Sequence, residues 1–221
     1  MRLYLIRHAE SENNAKPEAE RVEDPAITTR GHLQADCLGR WLQTLSIDCL
    51  LTSPFRRTLQ TTRYATDRTG QSAEIWTDVF ERGGCYRGWG NNIQGGIGCN
   101  RDQIIEHLPG AMVPAGIDTE GWWNGRPPES DAAALTRAQQ VTQKFVDRFG
   151  NSNDSVVAII HAEFKRHLLA KMLHGQADAE QFGPLCNVGI TLLEHDARGW
   201  RLQWLNSVSH LPADQITGAK G

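Results

Sequence analysis

Residues 3–6, Leu-Tyr-Leu-Ile, make a short apolar run that stops at Arg7-His8. A continuous run of this length predicts a strand buried on both faces, with two polar residues delivered at its carboxyl end. Residues 31–45 place Leu33, Cys37, Leu38, Trp41, Leu42 and Leu45 at helical spacing. A second buried strand is expected at 48–52. Ser53-Pro54 then opens a helix running to about residue 67, because proline suits a first helical turn. Residues 73–77 form a weaker strand candidate, and 129–149 a long amphipathic helix with Leu135, Ala138, Val141, Phe145 and Phe149 on one side. The most apolar strand, 155–160, ends in His161. A helix over 163–174 follows it, and 189–194 with 200–206 would close the chain as an antiparallel pair.

Strands alternating with helices predict an α/β fold, a three-layer α/β/α sandwich around a mostly parallel central sheet. A length of 221 residues suits a single domain. Residues 82–128 stand apart: they are rich in Gly and Trp, with little periodicity beyond a helical pattern near 102–108. So long an irregular stretch reads as a functional insertion, a lid candidate.

Composition narrows the class. A 39% hydrophobic fraction with 22% charged residues provides for a sizeable core. The net charge of −3 gives no chain-wide basic field, so neither nucleic acid nor an anionic membrane is expected as a partner. No apolar run reaches the length of a signal peptide or a spanning helix. Five cysteines without a Cys-x-x-Cys pair fit free thiols in a reducing, cytoplasmic setting, with a Cys85–Cys99 pairing left open.

The chemistry gathers at strand ends, where α/β sheets bind ligands. Arg7-His8 follows the first strand, Ser53 with nearby Arg57 the second, and His161 the buried one. Two imidazoles and two guanidiniums converging there would form a cationic pocket. Arginine presents a planar fork matched to phosphate oxygens, and histidine can act as a nucleophile through a covalent intermediate. That pairing points to phosphoryl transfer. His167 and His174 lie seven apart, but no Cys or carboxylate pattern completes a metal site, so no metal is expected. Gly83-Gly84 and Gly95-Gly96 lack the flanking strand and helix of a nucleotide loop. Trp122, Trp123, Trp89 and Tyr86 would either wall the substrate or anchor the insertion. Arg82, Arg87 and Arg101 would bind a second anionic group or, the preferred reading, face water.

Arg7-His8-Ala9-Glu10-Ser11-Glu12-Asn13-Asn14 resembles the Arg-His-Gly-Glu-Thr-x-x-Asn signature of the histidine phosphatase superfamily, the phosphoglycerate mutase-like proteins. Residues 24–35 are similar to that family's Asp-x-x-Leu-Thr-x-x-Gly-x-x-Gln-Ala segment, and 53–61 to its Ser-x-x-x-Arg-Ala-x-Gln-Thr helix start. Glu81 falls where the family places its acid, and 157–162 resembles the second histidine block. The resemblance implies the phosphoglycerate mutase-like fold and a phosphatase that hydrolyses a soluble phosphomonoester through phosphohistidine on His8. It implies that Arg7, Arg57 and protonated His161 hold the phosphoryl oxygens, that Glu81 donates the proton, and that neither metal nor other cofactor is needed. Asn14 matches a further phosphate contact; Ser11 and Ala162, inside matched blocks, and Arg82, beside the acid, are placed with it as substrate contacts. Ala9 and Ala162 replace glycines of the pattern, and Glu10, Glu129 and Glu163 compete with Glu81 for the acid role. Two alternatives share the pocket: a cofactor-dependent phosphoglycerate mutase, and a non-catalytic module binding a phosphorylated ligand. Monomer and homodimer both stay open.

Overall fold

The first apolar run is β1, Arg2–Arg7, and the computed structural model describes it within residues 1–88, 92–173 and 179–218. A one-turn helix α1 (Glu12–Ala15) and helix α2 (Thr29–Leu42) precede β2 (Cys49–Thr52). The Thr28 hydroxyl accepts from Gly31 N at 3.0 Å and so caps α2. Helix α3 (Arg56–Thr69) starts later than Ser53-Pro54 predicts, because both residues are used in the connection from β2. It stops at Gly70, whose φ of 72° suits a residue without Cβ. Strand β3 (Ala73–Ile75) follows.

The expected irregular stretch holds a two-residue hairpin pair, β4 (Tyr86–Arg87) and β5 (Gln94–Gly95), and helix α4 (Arg101–His107). Helix α5 (Asp131–Phe149), β6 (Ser155–Ile160), α6 (Ala162–Met172), β7 (Ile190–Asp196) and β8 (Gly199–Ser207) complete the chain.

Six strands form one sheet in the order β3-β2-β6-β1-β7-β8. The first four run parallel, β7 is antiparallel to β1, and β8 antiparallel to β7. Period-two alternation along each strand splits the core into two layers. Tyr4, Ile6, Leu50, Val157 and Ile159 pack toward Leu38, Leu42 and Leu59 of α2 and α3. Leu3, Leu5, Leu51, Val156, Ala158 and Ile160 pack toward Val141, Phe145, Phe164 and Leu168 of α5 and α6. The sheet therefore sits between two helical layers, and β6 at its centre has no exposed residue.

Two helix faces differ from expectation. Leu135 is 39% exposed, and the buried stripe of α5 is Ala134, Ala138, Val141, Phe145 and Phe149 with Arg137. Leu33 is 53% exposed, whereas Gln34, Ala35, Leu38 and Leu42 face inward on α2. Each misplaced leucine is next in sequence to the true stripe, about 100° away around the helix. Among the described residues, no helix is long and apolar enough to cross a membrane.

Candidate active site

Strand register builds the site. Arg7 lies opposite Ile160 in the parallel β1–β6 pair, so His8 and His161 leave neighbouring strands at the same level. Thr52 lies opposite Ile159 in β2–β6, which sets Ser53 beside His161. The two imidazole rings meet edge to face, with centroids 5.3 Å apart and planes at 61°. Arg57, on the first turn of α3, reaches both.

The hydrogen bonds define tautomers. Ala9 O, 2.7 Å away, can only accept, so His8 Nδ1 carries the proton. His8 Nε2 is then a lone pair, and it accepts from Arg57 Nε at 3.2 Å. Arg57 Nη2 approaches His161 Nδ1 at 3.1 Å; the guanidinium can only donate, so that nitrogen too is unprotonated. His161 Nε2–H then donates to Ser53 Oγ at 2.8 Å. Burial, then the positive charge of Arg57, pushes both histidines well below the ordinary imidazole range. The expectation of a protonated His161 is thus corrected: while Arg57 donates to its Nδ1, the buried His161 is neutral. It also has no exposed surface and does not line the cavity, which it meets through Arg57.

Burial lowers Arg7 to about 10 and moves Arg57 in the same direction, yet both remain cations at neutral pH. Arg7 donates to Leu185 O at 2.5 Å, and its buried Nε has no partner among the described residues. The cavity they line measures about 190 Å³ and is shared by His8, Ser11, Asn14, Glu81, Arg82, Tyr86 and Arg87. Ser11 Oγ donates to Asn14 Oδ1 at 3.1 Å, which commits it to shaping the loop. Ala162 opens α6 and is not among the lining residues; its methyl group has no polar atom to offer. Neither Ala9 nor Ala162 adopts a positive φ, so loss of the family's glycines adds no backbone strain.

Of the four candidate acids, only Glu81 lines the cavity. Its carboxylate accepts from Arg82 N at 2.8 Å, Phe164 N at 3.0 Å and Glu163 N at 3.4 Å, so it caps the start of α6 from outside. Glu129 is paired with Arg137, 2.6 Å between Oε2 and Nη2 and 2.8 Å between Oε1 and Nε. Arg137 Nη1 also donates to Asp78 O and Phe80 O, both at 3.0 Å, and so fixes the segment leading into Glu81. Glu163 pairs with Arg166, and Glu10 accepts from Thr28 Oγ1.

Within residues 82–128, Trp122 and Trp123 are buried and do not line the cavity. Trp122 packs edge to face with Phe55, centroids 5.0 Å apart, and Phe55 likewise with His161 at 4.9 Å. They anchor this stretch to the site's wall, and of the aromatic residues considered Tyr86 is the one that faces the cavity; Trp89 lies outside the described residues, as does His174. Gly84, at φ 80°, makes this packing possible, since a Cβ there would lie 2.1 Å from the Trp123 ring. Arg82 is paired with Asp131 at 2.9 Å. Arg101 donates to the carbonyls of Ile117, Val113 and Pro114, away from the cavity. Cys85 and Cys99 are free, buried thiols; burial pushes Cys85 up to about 12 and Cys99 upward as well. Cys99 Sγ donates to Asp24 Oδ2 at 3.3 Å, and burial raises the Asp24 carboxyl to about 6. Among the described residues, no group of three or more His, Cys, Asp or Glu is placed to hold a metal ion.

Ser53, expected at the end of the second strand, holds His161. Asn187 carried no signal at all: it is fully buried and donates to the His8 carbonyl at 3.1 Å.

The chain matches the model of the histidine phosphatase superfamily (branch 1) over residues 3–208, and it belongs to that family. It is 25% identical over 221 residues to a protein of Erwinia tasmaniensis named as a probable phosphoglycerate mutase, GpmB, covering 96% of this chain and 95% of that protein. Among solved structures it is similar to a mycobacterial glucosyl-3-phosphoglycerate phosphatase, with a TM-score of 0.63, 20% identity and coverage of 93% and 98%. It is likewise similar to a mutant phosphoserine phosphatase from Entamoeba histolytica in complex with phosphoserine, with a TM-score of 0.65, 20% identity and coverage of 96% and 99%. These structural likenesses carry the fold.

Proposed function

We propose that this chain is a histidine-nucleophile phosphatase that hydrolyses a small phosphomonoester through a phosphohistidine on His8. The observation that carries this reading is the His8 tautomer: Nδ1–H is held by Ala9 O, which leaves the Nε2 lone pair aimed at a guanidinium in a cationic pocket.

The phosphate monoester enters with its oxygens on Arg7, Arg57 and the Asn14 amide. These groups stabilise charge on the equatorial oxygens as the bond from Nε2 to phosphorus forms and the ester P–O bond breaks in line. Glu81 gives its proton to the departing oxygen. Water then attacks phosphohistidine while Glu81 takes a proton from it, the P–N bond breaks, and His8 returns to its starting state. Arg57 exchanges its ring-nitrogen acceptors for phosphoryl oxygens, which frees His161 Nδ1 to accept a proton next to the dianion. Residues 82–128, which contribute Arg82, Tyr86 and Arg87 to the cavity, act as the specificity-bearing insertion over this site.

Rapid quench with substrate tests the proposal. Acid-labile, base-stable phosphate is expected on His8, with inorganic phosphate released in the steady state and both lost in His8→Ala. Exchange between phosphoglycerate isomers without net phosphate release would assign the mutase reaction instead. Substrate binding with neither product would leave a phospho-ligand module.

A further inference from the structure

We infer that Asn187, locked in place by Thr217, is a positioning residue that fixes both the nucleophile loop and the orientation of the Asn14 amide; this rests on the phosphohistidine reading above. Thr217 lies beyond the residues matched by the family model.

Gln34 Nε2 donates to Thr217 Oγ1 at 2.8 Å, and the Thr217 hydroxyl donates to Asn187 Oδ1 at 3.1 Å. Asn187 Nδ2 then uses its two hydrogens on His8 O and Asn14 Oδ1, each at 3.1 Å. A flipped Asn187 amide would set its oxygen against two acceptors, His8 O and Asn14 Oδ1, and its NH2 against the Thr217 O–H. His8 O, which can only accept, therefore selects the amide orientation, and the Thr217 hydroxyl completes it by donating to Oδ1. Asn187 Nδ2 and Ser11 N, both donors, together fix that of Asn14, whose Oδ1 accepts from each of them and from Ser11 Oγ at 3.1 Å. With Oδ1 so engaged, Asn14 presents Nδ2, a donor, to an incoming phosphoryl oxygen.

The backbone is held by the same contact. His8 O accepts a second bond from Val188 N at 3.3 Å, and Val188 adopts φ 50°, a conformation a β-branched residue takes only under constraint. Asn187 N donates to Thr217 O at 2.9 Å, tying the loop and the 215–218 segment together. Gly218, at φ 81°, brings that segment against Arg7: a Cβ there would lie 2.4 Å from Arg7 Nη1.

The test uses Thr217→Val, which deletes the hydroxyl at constant volume, and Thr217→Ser, which restores it. With p-nitrophenyl phosphate as probe, Thr217→Val is expected to lower kcat and the rate of phosphohistidine formation about tenfold, the scale of one lost hydrogen bond, with KM nearly unchanged. Its thermal midpoint should fall by a few degrees, because the buried Asn187 Oδ1 loses the Thr217 donor, and Thr217→Ser should restore the midpoint and return kcat to within about twofold of the unaltered chain. Orthovanadate should bind Thr217→Val more weakly by a similar factor, a readout independent of turnover. Asn187→Asp, which turns the donor into an acceptor at the same volume, should lose more than Thr217→Val. A Thr217→Val enzyme with unaltered kcat and vanadate affinity overturns the inference, as does a loss that serine fails to repair. The phosphohistidine of the unaltered chain is measured first, so failure of the phosphatase reading appears there and failure of the relay only in the variants.

Discussion

His8 and His161 face each other edge to face at 5.3 Å because β1 and β6 are parallel neighbours whose last residues, Arg7 and Ile160, lie in register. Their separation in sequence is erased by a single strand pairing. Arg57 joins them with one fork of donors, Nε on His8 and Nη2 on His161.

That fork is the basis of a first prediction. Lysine keeps the charge of Arg57 but offers one ammonium in place of two donors in a fixed plane. Arg57→Lys should lower kcat by about 10² to 10³, comparable to loss of a preorganised oxyanion donor. Steady-state kinetics would check it; a change below tenfold would show that charge alone suffices.

Glu81→Gln should keep an oxygen acceptor for the amides of Arg82 and Phe164, which share Oε1, while removing the transferable proton. Turnover is expected to slow by about a hundredfold or more with an unchanged circular dichroism spectrum. An aryl phosphate with a strongly acidic leaving group should mask the defect in the first step, because that leaving oxygen needs no proton.

The histidines set the pH response. His8 and His161 are held well below the ordinary imidazole range by burial and Arg57, so the nucleophile stays neutral in mildly acidic buffer. The acid limb assigned to His8 should therefore lie below about 6.5, the value of a free imidazole. Stability follows the same sign. The unfolded chain takes up protons on these rings below about 6.5 while the folded chain does not, so stability is intact above that pH and falls as pH drops toward the lowered folded values. Calorimetric melting from pH 7 to pH 5 should show the decline.

Lys165 is fully buried, donates to Gly189 O at 2.9 Å, and is lowered to about 7 by burial and by Arg7. Lys165→Met should stabilise the fold most at pH 7 and below, where the buried ammonium is charged. The gain should shrink as pH rises from about 7 toward the unfolded value of about 10.4. Thermal midpoints across that window test it; a gap that is flat in pH would sink the assignment.

The Glu129–Arg137 pair, each side chain 9% exposed, should behave differently from the surface pairs. Glu129→Gln leaves the Arg137 charge buried without its partner and is expected to cost about 3–5 kcal/mol, a fall of roughly 10 °C in the thermal midpoint.

The six strands of the main sheet, the layers and the four basic residues are legible because each rests on local sequence: an apolar run, a proline, a polar residue at the run's end. The burial of Leu33 and Leu135 was misread because helical periodicity blurs the edges of an apolar stripe. Glu81 was visible only through family position, since its place depends on Arg137 and the start of α6, contacts across the fold. Trp122 and Trp123 have no period to read, and only packing on Phe55 and Phe80 showed them as anchors. Asn187 acts on a backbone carbonyl, and no residue pattern announces that.

In the proposed reaction the lone pair that attacks phosphorus is that of His8 Nε2, and Arg57 Nε donates to it at 3.2 Å. On that proposal, an oxyanion that draws the guanidinium away would unmask the nucleophile, so recognition of substrate and release of the lone pair would be one event. Stray electrophiles lacking a phosphate-like charge meet a masked ring, and chemical selectivity begins before any bond to phosphorus is made.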